Sequence, residues 1–261
     1  MTAALAPAPG VDDPLEALLL PFSDTPRPLL DQRRLLRRTD TKLVCPIGSL
    51  AGLLPLVARD YAVLRVPSGA AIADYRNLYF DTPQLQLFHD HRRGRRIRHK
   101  VRIRHYPDRH VSFLEVKTRR SELVVDKRRL AIAFGGERLG EGELAWVAGR
   151  VGELADHLHP QVRVDYRRVT LVGLASHERV TIDVDIELAG LTGVPRVLGP
   201  IAVVEVKQAR LSHDTPIMRA LAAAGLRPAS SKYALAITRL RPDVRCNRLM
   251  PDLRAFARSL S

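Results

Sequence analysis

From Ile97 to Tyr106 the chain reads IRHKVRIRHY, and this run limits the possible folds more than any other segment. Successive side chains of a β-strand point to opposite faces, so Arg98, Lys100, Arg102 and Arg104 share one face while Val101 and Ile103 share the other. The pattern recurs. Glu115 and Lys117 oppose Leu114 and Val116; Arg179, Thr181, Asp183, Asp185 and Glu187 oppose Val180, Ile182, Val184 and Ile186; Glu205 and Lys207 oppose Val204 and Val206. One such strand would be an ordinary sheet element with its apolar face on a core and its charged face in water. Several together imply more, because four aligned cations repel one another unless anions neutralise them. Glu115 and Glu205 also stand in identical Glu-Val-Lys triplets, two residues before a lysine. If the sheet curls with these faces inward, its lumen is a positively charged channel with a few carboxylates to hold a divalent ion. Such a channel suits a triphosphate or a phosphate chain.

Along the chain, residues 1–30 are rich in Ala and Pro and read as a flexible N-terminal arm. Alternation and β-branched content predict strands near 38–45, 74–80, 97–106, 110–119, 122–133, 162–172, 178–188 and 201–208. Helical signals fall at 48–60, 82–91, 143–158, 215–224 and 230–240, with Pro83 and Pro216 near two of the starts. The Gly-rich stretches 134–142 and 189–200 read as loops. Together these predict an α+β fold, an eight-stranded antiparallel β-barrel flanked by helices over residues 31–241, followed by a tail with helical character at 242–261.

The chain carries 42 basic residues against 28 acidic ones, a formal charge of +14, which calls for a polyanionic partner: nucleic acid, an anionic membrane or a phosphate-rich molecule. Aromatics are only 5% and no nucleic-acid module signature occurs, so recognition of single strands by stacking is disfavoured. Cys45 and Cys246 form no CxxC pattern, giving neither a zinc-site spacing nor a disulfide framework, and the N-terminus lacks the basic start of a signal peptide. With no run of membrane-spanning length, a cytoplasmic location is expected. Only six of the basic residues are lysine, namely Lys42, Lys100, Lys117, Lys127, Lys207 and Lys232, and all six fall in predicted strands or their turns or beside them. In so arginine-biased a chain these mark positions where a compact ammonium is wanted. Weaker signals read as structural: His89-x-His91 and His157-x-His159 lack a third ligand, Ser231 reads as a helix N-cap before Lys232, and Trp146 belongs to a helix packed on the barrel. The Arg92-Arg93-Gly94-Arg95-Arg96 cluster reads as a solvated loop that could also grip nucleic acid or an emerging chain.

Several segments carry a family resemblance: Tyr79-Phe80-Asp81-Thr82, Phe88-His89, Gly94, Arg98 and Lys100-Val101-Arg102-Ile103-Arg104, Phe113-Leu114-Glu115-Val116-Lys117, Lys127, Tyr166-Arg167-Arg168, Arg179 to Asp185, Val204-Glu205-Val206-Lys207 and Ser231-Lys232-Tyr233. In that order they resemble the VTC domain, the polyphosphate polymerase branch of the triphosphate tunnel metalloenzymes. The resemblance implies an antiparallel barrel whose tunnel transfers the γ-phosphate of ATP to inorganic polyphosphate with Mn²⁺ or Mg²⁺. It further implies that Arg102, Arg104, Lys127 and Lys232 are catalytic, that Lys42, Arg98, Lys100, Lys117, Arg168, Arg179 and Lys207 bind phosphate, and that Glu205 holds the metal. The Glu-x-Glu-x-Lys opening of the hydrolytic and cyclase branches is replaced here by Asp40-x-Lys42. The implied partners are ATP and polyphosphate, with nucleic acid not expected and any membrane association left to a separate partner. A tunnel-fold triphosphatase, or a protein that binds polyphosphate or nucleic acid without catalysis, stands as the alternative.

Overall fold

The inward-facing charges are realised by one curled sheet. The computed structural model describes residues 13–32, 39–120, 125–246 and 254. Its strands are β1 (Ser23–Asp24), β2 (Thr39–Pro46), β3 (Tyr61–Val63), β4 (Ile72–Asp81), β5 (Arg98–Tyr106), β6 (Val111–Arg119), β7 (Val125–Ile132), β8 (His159–Gly173), β9 (Glu178–Gly190), β10 (Arg196–Val197), β11 (Ile201–Gln208) and β12 (Arg227–Pro228). The eight long strands correspond to the eight expected from sequence. They run antiparallel in the order β2-β11-β9-β8-β4-β5-β6-β7, with the short strands appended at the margins. Among the described residues no ladder joins β7 to β2, so the wall is an open sheet rather than a fully closed barrel. Across that seam Lys117 Nζ of β6 lies 3.8 Å from Asp40 Oδ2 of β2.

The helices are α1 (Pro14–Leu19), α2 (Arg27–Gln32), α3 (Ser49–Val57), α4 (Gln86–Arg93), α5 (Glu141–Val151), α6 (Pro216–Ala223) and α7 (Lys232–Leu240). Two apolar layers cover the outside of the wall. Val180, Ile182, Val204 and Val206 pack with residues of α1, α3 and α6, whereas Val101, Ile103, Leu114 and Val116 pack with Val147 and Val151 of α5. Each such side chain contributes roughly 1.5–3 kcal/mol when fully buried, which fixes the register: a one-residue slip would turn the charges outward.

A third layer lies on the inner face. Along β2, β11 and β8 the inward residues change from Lys42, Glu205 and Arg168 to Val44, Val203, Val164 and Val162, and these pack against Phe88 of α4 and Tyr233 and Ile237 of α7. Asp81 ties that region together. Fully buried, its carboxylate accepts the backbone N–H groups of Thr82, Leu87 and Phe88 and the hydroxyl of Tyr233.

The structure departs from the sequence reading at two places. Of the expected arm 1–30, residues 13–30 are described, and 13–22 pack on the wall: Asp13 caps α1, Leu15, Leu19 and Phe22 are buried, and Glu16 accepts the N–H groups of Ala71 and Ile72 at 2.9 Å. The cause is an apolar face at i, i+4 that Pro and Ala composition concealed. On β9 the expected charged face stops at Asp183. Asp185 has φ 49°, the register against β8 shifts there, and beyond it Ile186 turns inward while Asp185 and Glu187 face solvent.

Candidate functional site

The inner charges meet in one cavity of about 190 Å³, lined by β2, β4, β5, β6, β7, β8, β11 and the start of α7. Ten of the twelve sequence-predicted residues line it: Lys42, Lys100, Arg102, Arg104, Lys117, Lys127, Arg168, Glu205, Lys207 and Lys232. Arg98 and Arg179 do not. Arg98 lies two residues before Lys100 and donates to the Arg95 carbonyl at 2.6 Å, while Arg179 stands opposite Lys207 on β9. The lining thus carries nine cationic side chains against the carboxylates of Asp40, Glu115 and Glu205.

Three carboxylates at the wall are each gripped by two cations. Glu115 accepts Arg102 Nε at 2.8 Å and Nη2 at 2.6 Å on one oxygen and Lys127 Nζ at 2.6 Å on the other. Glu205 receives Lys42 Nζ and Lys207 Nζ, each at 2.6 Å. Asp183, on β9 beneath the lining, accepts Arg168 Nη2 at 2.7 Å and also Lys232 Nζ. Burial alone would raise the pKa of these acids, but the paired cations override it and hold all three well below the usual carboxylate range. The lysines respond in the opposite sense. Burial lowers Lys127 to about 7 against the pull of Glu115, with Arg102 and Arg104 adding repulsion, and lowers Lys207 to about 8. Among the described residues no carboxylate is paired with Lys100; burial, then Lys117, Lys42, Arg98 and Arg102, push it well below the ordinary lysine value.

Neutral groups aim the guanidiniums. Arg102 Nη1 donates to Tyr79 Oη at 2.9 Å, and Arg104 donates from Nε to Asn77 Oδ1 and from Nη2 to Tyr166 Oη, both at 2.7 Å. Asn77 is itself fixed by donating Nδ2–H to the Val164 carbonyl at 2.7 Å. Tyr75 stacks on Tyr166, and the guanidiniums of Arg104 and Arg168 lie 4.9 and 4.8 Å from the Tyr75 ring centre. The sequence reading named Tyr79 and Tyr166 within motifs but gave them no role, and it did not single out Tyr75 or Asn77. Tyr75, Asn77 and Tyr79 do alternate along β4, and that period was the available signal.

Exposure gives the cavity a direction. Lys117 and Lys127 are 37% exposed and Lys42 31%, whereas Arg168 and Lys232, tied to Asp183 at the level of Val203 and the apolar layer, are 12–13% exposed. The first group therefore lies toward the mouth and the second at the inner end, while Lys207, also little exposed, stands opposite Asp40 on the mouth side of Glu205.

For a divalent ion the donor set is sparse. Among the described residues no cluster of three or more His, Cys, Asp or Glu side chains occurs, and both oxygens of Glu205 are engaged by lysines. Such a site fits an ion that takes one protein carboxylate and fills its remaining positions with phosphate oxygens and water, the manner in which Mg²⁺ commonly binds.

An antiparallel sheet wrapped round a basic lumen, with helices on its outer faces, defines the triphosphate-tunnel class of fold. Within that class the chain belongs to the VTC domain family, whose profile matches residues 37–241. Among solved structures, a candidate adenylate cyclase from Bacillus halodurans is similar, with 13% identity and a TM-score of 0.50 over 79% of this chain and 99% of that one. A candidate adenylyl cyclase from Hippeastrum, described as having a dominant triphosphatase activity, has 14% identity and a TM-score of 0.49 over 77% of this chain and 95% of that one. At these identities the likeness is one of fold. No curated protein matches the chain.

Proposed function

We propose that the protein is a polyphosphate polymerase, transferring the γ-phosphoryl group of ATP to the end of a growing inorganic polyphosphate chain. The observation that carries this reading is the state of the wall carboxylates. Glu115, Asp183 and Glu205 are each bound by two cations and held well below the usual carboxylate range, so none is suited to take a proton from water. Hydrolysis would profit from such a base. A chain end needs none, because a terminal phosphate is already an anion near neutral pH. This favours transfer to phosphate over transfer to water on an otherwise shared scaffold.

Phosphoryl transfer asks a protein chiefly for in-line positioning and for charge stabilisation. Arg102 and Arg104, aimed by Tyr79, Asn77 and Tyr166, hold the triphosphate, and Lys127 and Lys232 serve the transferred group. Lys42, Lys100, Lys117, Arg168 and Lys207 hold further phosphates, with Arg98 and Arg179 beyond the cavity. An oxygen of the chain's terminal phosphate bonds to the γ-phosphorus, the bond from that phosphorus to the β–γ bridging oxygen breaks, and ADP leaves. Glu205 would hold Mn²⁺ or Mg²⁺, which supplies charge neutralisation on the phosphate oxygens.

The test is incubation of the purified protein with ATP and Mn²⁺ or Mg²⁺, with products resolved by gel and phosphorus NMR and Glu205→Ala as control. Long chains with internal-phosphate resonances, lost in the variant, are expected. Orthophosphate as the sole product would overturn the assignment in favour of a tunnel triphosphatase, and tight polyphosphate binding without turnover would leave a binding protein.

A further inference from the structure

The row of cations does not stop at the cavity. On β5 it continues outward from Lys100 to Arg98, which pairs directly across the ladder with Arg119 of β6, just as Lys100 pairs with Lys117 and Lys117 with Lys127 of β7. Like charges directly opposite on a sheet are unfavourable, and two successive pairs of this kind on one face, Lys100 with Lys117 and then Arg98 with Arg119, lead outward from the cavity. The turn after α4 lies against the same end: the Arg95 carbonyl accepts Arg98 Nη1 at 2.6 Å. His91, on the last turn of α4, is close enough to Lys100, Arg98, Lys42 and Lys117 to feel all four. That places the turn beside the mouth formed by Lys42 and Lys117. Arg93 at the end of α4, Arg95 and Arg96 on the turn after it and Arg120 just past β6 are exposed, and Arg95 pairs with Asp90 at 3.1 Å.

We infer that this ridge carries a linear inorganic polyphosphate chain out of the tunnel, with Arg98 and Arg119 at the mouth and Arg93, Arg96 and Arg120 beyond it. The inference rests on the proposed function above. From Arg104 to Arg98 the strand rises about 20 Å, and a chain longer than that span continues over the ridge. The ridge offers repeated charge without an aromatic side chain between Arg92 and Arg98 or at Arg119 and Arg120, which suits a bare phosphate chain better than a nucleic acid strand, whose bases call for stacking partners. Among its described residues the one exposed large apolar side chain, Ile97, gives little for a membrane to hold.

The experiment compares binding of tripolyphosphate, of a polyphosphate of several dozen units and of a single-stranded RNA of similar charge to the full chain, the Arg93→Ser/Arg96→Ser double variant and Arg102→Glu. The double variant is expected to bind long polyphosphate roughly three- to tenfold more weakly at low salt, with a shallower salt dependence, and tripolyphosphate as before. Unchanged long-chain binding, an equal loss for tripolyphosphate, or a loss confined to RNA would each overturn the ridge as a polyphosphate path. Failure of the tunnel reading shows separately, as tripolyphosphate binding that is absent from the natural protein or untouched by Arg102→Glu.

Discussion

Filling the tunnel with a polyanion should draw protons from solution, in an amount that follows from the lysines. In the free protein Lys127 titrates at about 7 and Lys207 at about 8, chiefly because burial disfavours their charged forms. At pH 8 Lys127 is therefore about one-tenth protonated and Lys207 about half. A bound triphosphate restores the ammonium at both sites, so binding takes up about 0.9 proton at Lys127 and about 0.5 at Lys207, roughly 1.4 together. The sign also separates two pH trends. A lysine whose folded pKa is depressed binds fewer protons folded than unfolded between its folded and unfolded values, so the empty protein gains stability as pH rises from about 7 toward 10. Polyanion affinity falls over the same interval. Calorimetric titration with tripolyphosphate at pH 8, in two buffers of different ionisation heat, counts the protons. Lys127→Met should remove nearly one and Lys207→Met about half. Tight binding accompanied by uptake of less than about half a proton would refute the reasoning.

Other parts of the structure make separate predictions. Arg102→Glu sets a second carboxylate beside Glu115 and should lower turnover by about 10² to 10³ or more while far-UV circular dichroism still shows a cooperative thermal transition; full activity would remove Arg102 from the tunnel machinery. Asp81→Ala leaves three backbone N–H groups and the Tyr233 hydroxyl without their acceptor in a buried site, at a cost of about 3 kcal/mol in urea unfolding, and a loss below about 1 kcal/mol would contradict its role as the tie between α4 and α7. Leu19→Ala should cost about 2–5 kcal/mol because Leu19 is fully buried, where a loose arm would give no change in the same assay.

The sequence revealed the wall because its signals were local. Val101 and Ile103 had to face a core, so Lys100, Arg102 and Arg104 had to face away from it, and repetition of that alternation on several strands implied a shared lumen. Rarity of lysine was informative for a related reason: Lys42, Lys117, Lys127, Lys207 and Lys232 all line the cavity. What stayed hidden depended on three-dimensional register. Asp185 reads as part of the charged face, but a positive φ and a bulge against β8 reverse the alternation there, and no residue type announces it. Tyr75, Asn77 and Tyr79 resemble ordinary strand residues until their partners Arg102, Arg104 and Tyr166 are seen. The double grip on Glu115 joins β5, β6 and β7, so it could not be read from spacing on any one of them. The segment before β1 was misjudged because its apolar stripe is only two turns long.

The unpaired seam between β2 and β7 has a mechanical consequence. A sheet sewn shut by backbone hydrogen bonds has a fixed girth, set by strand number and stagger. Here, among the described residues, the circumference is spanned at the seam by side chains such as Lys117 and Asp40, 3.8 Å apart and within reach of salt and competing anions. Among the described residues the girth at this seam is therefore set by side-chain contacts and not by the rungs of a ladder.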